Sequence, residues 1–159
     1  MGGFLLQEKG EKRMNIRLMR SSDYSAVYAL WLSCSGMGLN SADDSEEGIA
    51  RFLDRNPTTC FVAEEDTELV GVIMAGHDGR RGFIYHTAVS PRYRRQGIGE
   101  TLVNAAMDAL KECGISKAAL VAFERNEAGN AFWEQMGFER RQDLIYRNRT
   151  LREMERIDT

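Results

Sequence analysis

The sequence predicts one α/β domain built on a mixed sheet, and three observations carry this. Residues 60–64, 68–77 and 82–89 are apolar, β-branched-rich runs joined by short turns, the pattern of an antiparallel meander. A helical stripe over 98–113 then leads to another apolar run at 117–123, and a strand–helix–strand passage of this kind closes with a right-handed crossover between parallel strands. The chain length of 159 residues suits a single core.

The elements follow in order. Residues 1–13 read as a loose extension before a domain over 14–150 and a tail over 151–159. The extension's apolar run is short and its charges follow that run, so it does not read as a signal peptide. Residues 15–20 alternate as a half-buried strand does. Ser21, Ser22 and Asp23 offer caps to a helix whose apolar side is Val27, Leu30, Trp31 and Cys34. Gly36 and Gly38 break it. Asp44 and Glu47 form a capping-box pattern ahead of a second helix with Ile49, Phe52 and Leu53, ended by Pro57. Within the meander, the Asp78-Gly79 pair marks a hairpin turn. Ile98, Leu102, Ala106, Ala109 and Cys113 define the third helix, and Gly114 stops it. Ala128, Ala131, Phe132 and Met136 define a fourth, stopped by Gly137. Residues 138–140 and 143–149 suggest a closing hairpin.

The net charge of −3 argues against a broadly basic nucleic-acid binder. No apolar run approaches the roughly 18 residues that span a bilayer. Cys34, Cys60 and Cys113 show no metal-ligand spacing and sit in apolar segments, as buried reduced thiols of a cytoplasmic protein do.

The stretch "YRRQGIGETL", residues 93–102, gathers positive charge beside two glycines at a strand-to-helix turn. The first N–H groups of a helix have no internal acceptor and carry the positive end of its dipole. Gly97 and Gly99 open those groups to close approach by an anion, and Arg92, Arg94 and Arg95 add charge, so a pyrophosphate fits. A tight turn with solvated arginines fits as well. A dinucleotide fingerprint does not, because Leu102 occupies its third glycine position and Ala118-Ala119-Leu120 stand where an acidic residue is wanted. A P-loop lacks its Gly-Lys-Ser/Thr.

This stretch resembles the signature of the GNAT N-acetyltransferase superfamily: Arg or Gln, two residues, Gly, any residue, then Gly or Ala. Arg94, Gly97 and Gly99 match it, and "AVSP" at 88–91 matches the strand end that leads into it. Asn126, Phe132 and Gly137-Phe138 match the family's later segment, and the order of elements over 15–149 also agrees. The likeness is greatest to small stand-alone bacterial members. It implies acetyl-CoA as cosubstrate and no metal, with the acyl donor between two parallel strands that splay apart. The backbone of Thr87, Ala88 and Val89 would bind the pantetheine arm and polarise the thioester carbonyl. Arg94, Arg95, Gln96, Gly97, Ile98 and Gly99 would hold the pyrophosphate, and Asn126 would contact the pantetheine.

The resemblance also exposes departures. Trp133 replaces the tyrosine that protonates the leaving thiolate, and indole is no useful acid. Gly129 replaces an alanine. The positions where relatives carry a glutamate base read Val121 and Phe83. His86, on the strand beside the expected thioester, is the best candidate base, since imidazole titrates near the working pH; Tyr85 and Glu124 are further candidates. His77, beside the turn, reads as a solvated loop residue. Met37, Leu39, Asp43 and Asp44 sit in the loop expected to shape the acceptor side, where the acids either attract an amine or cap a helix. Tyr24, Tyr28 and Tyr146 are further candidates for that cleft. The implied acceptor is a primary amine of a small molecule, an amino acid, a protein N-terminus or a lysine. Neither nucleic acid nor membrane is implied, and a homodimer is compatible. A non-catalytic acyl-CoA-binding or regulatory module is the alternative.

Overall fold

A computed structural model describes residues 14–157, so the extension expected over 1–13 lies outside the described residues. Its sheet has five strands in sequence order: β1 (Met14–Leu18), β2 (Phe61–Glu65), β3 (Glu68–His77), β4 (Gly82–Val89) and β5 (Ala118–Ala119). β1 to β4 pair antiparallel, and β4 pairs β5 in parallel. β3 lies at the centre because residues 70–76, all buried, present apolar or small side chains to both faces.

Helices cover both faces, which gives two cores. α1 (Tyr24–Ser33) and α2 (Glu46–Arg55) pack one side, where Val27, Trp31, Ile49 and Leu53 meet Val62, Val72, Met74 and Ala88. α3 (Ile98–Glu112) packs the other, where Ile98, Leu102, Val103, Ala106 and Leu110 meet Ala63, Val70, Ile73 and Ile84. α4 (Glu127–Gln135) adds Phe132 and Trp133 at the margin of the second core. Among the described residues, no helix is long and apolar enough to cross a membrane.

Four details depart from the sequence reading. α2 is capped by Ser45, whose hydroxyl accepts from Gly48 N–H at 3.0 Å, so the expected Asp44–Glu47 box does not form. The buried stripe of α3 runs through Val103 and Leu110 and leaves Cys113 exposed at its end, whereas Cys34 and Cys60 are buried and burial pushes the Cys60 thiol up to about 12. β5 keeps only two residues of the strand expected over 117–123. No ladder forms over 138–149, and Leu144, Ile145 and Tyr146 are exposed rather than paired. Instead the chain returns to the loop before α2. Ser41 N–H donates to Glu155 carbonyl at 2.8 Å, and Ile157 N–H to Leu39 carbonyl at 3.0 Å. Residues 155–157, within the segment expected as a tail, are thereby tied to the loop of 39–41.

Candidate active site

β4 changes character halfway along. Its register with β3 passes from Tyr85↔Met74 to Ala88↔Val72, so His86 and Thr87 together stand opposite Ile73. This is a β-bulge, which bends a strand and redirects its side chains. His86 takes a positive φ of 27°, in the left-handed region that side chains other than glycine rarely adopt. Tyr85 and His86 consequently both reach the α1/α2 face, Tyr85 against the Phe52 ring at 5.6 Å and His86 against the Trp31 ring at 5.1 Å. The His86 carbonyl accepts from the Trp31 indole N–H at 3.1 Å.

The other edge of β4 is open. β5 pairs with it only at Gly82↔Ala118 and Phe83↔Ala119. Beyond that point β4 continues to Val89, while Leu120 to Phe123 leave the ladder. The Phe123 ring lies under the Arg125 guanidinium at 4.5 Å, beside Gly36 and Gly38, and a hollow of about 460 Å³ opens at Phe123, Glu124 and Arg125. The parallel pair therefore splays, and Thr87, Ala88 and Val89 lie along its unladdered edge.

Continuing from Val89, a short 3-10 turn at Pro91–Tyr93 leads to Arg95 at φ 64° and Gly97 at φ 80°, directly before α3. Left-handed residues beside a helix start turn successive N–H groups toward one concave side, which binds anions. At the start of α3, Thr101 N–H donates to the Gly97 carbonyl at 3.0 Å. Arg95, Gln96 and Gly97 are exposed. Arg94 folds back, with Nε 3.4 Å from the Val89 carbonyl and a terminal nitrogen 3.7 Å from Cys34 Sγ. Gly99 lies against Phe132, and Ile98 is buried beneath the turn.

The His86 ring is held from outside the sheet. Its Nε2 lies 2.7 Å from Asp44 Oδ1. Asp44 is 2% exposed, and its Oδ2 accepts from Asn40 N–H at 2.8 Å. Its carbonyl accepts from the Tyr24 hydroxyl at 2.7 Å. Gly48 lets α2 start under this loop, because a β-carbon there would run into the carbonyls of Ala42 and Asp43. With both carboxylate oxygens engaged inside the protein, Asp44 is not a free attractor of amines, and Asp43 is the exposed acid of the pair. Burial pushes the Tyr85 phenol up, and Tyr146 and Asp43 nearby push it further. Tyr85 therefore stays a neutral donor over the working pH range. Burial likewise raises Tyr24, with Tyr28 and Asp44 adding to it.

The remaining candidates lie apart from His86. The Asn126 side chain accepts from Gly129 N–H at 3.0 Å and so caps α4, and a β-carbon on Gly129 would collide with it. Trp133 packs edge-on to Phe132 and Phe138 at 5.0 and 5.3 Å. Glu124 is exposed beside the hollow at Phe123. His77 accepts from Gly79 N–H in the hairpin turn. Among the described residues, no group of three or more His, Cys, Asp or Glu is placed to hold a metal ion. Sequence reasoning missed the partners of His86. Trp31 read only as core, and Asp44 read as a cap or an amine attractor. The available signal was redundancy, since Ser45 alone suffices to cap α2.

Comparison with known proteins bears on the fold and the family. The sequence model of the Acetyltransferase (GNAT) family matches residues 24–138. An acetyltransferase of Pectobacterium atrosepticum is 36% identical over 126 residues, 79% of this chain and 88% of its own length. One from Photorhabdus laumondii is 35% identical over 144 residues, 89% and 99% of the two chains. Among solved structures, the PaiA N-acetyltransferase of Thermoplasma acidophilum in complex with coenzyme A superposes with a TM-score of 0.70 at 20% identity, over 80% of this chain and 90% of that one. The ribosomal-protein-alanine N-acetyltransferase of Brucella melitensis gives 0.66 at 24%, over 87% and 99%. The structural likenesses establish the fold, and the sequence matches go further: the chain belongs to the GNAT family of acetyltransferases.

Proposed function

We propose that this protein transfers an acetyl group from acetyl-CoA directly to a primary amine, with His86 as the base. The observation that carries the reading is the His86 imidazole, fixed on a buried carboxylate at the β4 bulge, past the last pairing of β4 with β5 at Phe83. Acetyl-CoA supplies an activated acyl thioester, and the residues present suit it. The open edge at Thr87 to Val89 offers backbone groups to an extended arm and to a developing oxyanion. The N–H groups from Arg95 to Gly99, at the turn and helix start, offer a cradle for a pyrophosphate, with Arg95 adding charge.

His86 takes the proton that the attacking amine must lose. Tyr85, held neutral, is the donor on the same face that can meet a departing thiolate. Trp133, packed between two phenylalanines, takes neither role. The acceptor side is the exposed surface around Tyr85, Asp43 and Tyr146, where aromatic faces and a carboxylate favour a cationic amine. A protein drawing on acetyl-CoA, with buried free thiols at Cys34 and Cys60, fits a cytoplasmic setting.

Release of free thiol from acetyl-CoA, followed over a panel of small amines, amino acids and peptides, tests the reading. Amine-dependent release is expected. Tight acetyl-CoA binding with no release on any amine would establish the binding-module alternative instead.

A further inference from the structure

We infer that Asp44 is the positioning residue of His86, holding its ring so that Nε2 carries the hydrogen and Nδ1 presents the lone pair that receives the amine's proton. This rests on the reading of His86 as the base. An ionised carboxylate only accepts hydrogen bonds, so the ring nitrogen 2.7 Å from Asp44 Oδ1 must be the donor. Among the described residues, Nδ1 has no hydrogen-bond partner, and the side chain is 17% exposed. Neutral His86 is then a single tautomer with its basic nitrogen left open. When Nδ1 takes a proton, the imidazolium forms against a buried carboxylate that compensates its charge.

The surroundings hold this arrangement rigidly. The Trp31 indole fixes the His86 carbonyl and packs at 72° to its ring. Asp44 is held in turn by Asn40 N–H and by the Tyr24 hydroxyl. A purely structural role explains less. Ser45 already caps α2, and a buried carboxylate is an expensive way to anchor a loop.

The test is Asp44→Asn in the full chain, read by ring 15N spectroscopy of His86. His77→Gln removes the signals of the other of the two histidines. Wild type should show hydrogen on Nε2 and a bare Nδ1, and Asp44→Asn should mix the tautomers. Its kcat should fall roughly 10²–10⁴-fold, with acetyl-CoA affinity unchanged and partial rescue by Asp44→Glu. Retained kcat and tautomer, with only a lower melting temperature, would overturn the inference. So would hydrogen on Nδ1 in the wild type, an outcome that needs no variant to fold. A separate failure is recognisable. If His86→Asn keeps full kcat, the base reading itself is wrong, whatever Asp44→Asn does.

Discussion

Asp44 and Ser45 are neighbours with different work, and the difference follows from reach. Ser45 has the short side chain that caps α2, and Asp44 turns inward to meet a strand 42 residues further along the chain. Gly48 makes this fit possible. Gly48→Ala should cost about 2 kcal/mol by crowding the carbonyls of Ala42 and Asp43, and should lower kcat as the Asp44 loop shifts. Thermal melts beside turnover check both parts. His86 and Tyr85 were legible as candidates from their place on β4. The pairing of His86 with Asp44 was not, because an irregular loop carries no periodicity from which a long-range partner is read. Trp31 hid for a related reason: a helical apolar stripe says that a ring is buried, not that its N–H finds a strand carbonyl.

At the scale of elements, the start of α3 is the proposed anion-binding end of the site. Arg95→Glu should weaken acetyl-CoA binding about tenfold or more, by removing a charge-assisted contact and repelling phosphate, while binding of acetyl-pantetheine changes little. Titration with the two ligands checks this, and an equal loss on both would remove the anion assignment from the turn. A second tie joins β1, β2 and the start of α1, where Arg17 bridges Asp23 and Glu64 at 2.7 and 2.6 Å. Burial alone would raise the Asp23 carboxyl, but Arg17 and the Arg20 N–H outweigh it and hold it below the usual range. A carboxyl depressed in the folded state contributes stability above its unfolded value, and that contribution fades as pH falls through the folded one. Arg17→Ala should therefore cost about 1 kcal/mol near pH 6, and the deficit should shrink below about pH 4 in melts across that range. The returning segment makes a third tie. Shortening the chain before Glu155 should speed hydrogen exchange at Ser41 N–H, which Glu155 otherwise occupies.

Elements were legible in proportion to their patterning. The meander and α3 carry dense apolar repeats and appear close to where the spacing puts them. The stretch over 117–123 also looked like a strand, because an apolar run does not reveal that its partner is leaving. That departure is what opens the β4 edge. The hairpin expected over 138–149 failed likewise, since alternating residues without a sheet edge to join remain exposed.

For the whole molecule, two cores on a common sheet hold the site between rigid parts. α1 and the loop before α2 supply Trp31 and Asp44 from one side, and the start of α3 supplies the proposed anion turn from the other. The family was legible because two linked motifs lie at a set separation, and the matched region spans both. The acceptor was not, because its side of the cleft is built from loops and exposed aromatics rather than from a motif. The most direct test is a single-turnover experiment in which the protein, preloaded with acetyl-CoA, is mixed rapidly with an amine that supports turnover. The account predicts no thiol before the amine arrives, then one equivalent released with acetylated amine, and release at least about 10²-fold slower in His86→Asn at unchanged acetyl-CoA affinity. Thiol released before the amine, or equal rates in wild type and His86→Asn, would contradict it.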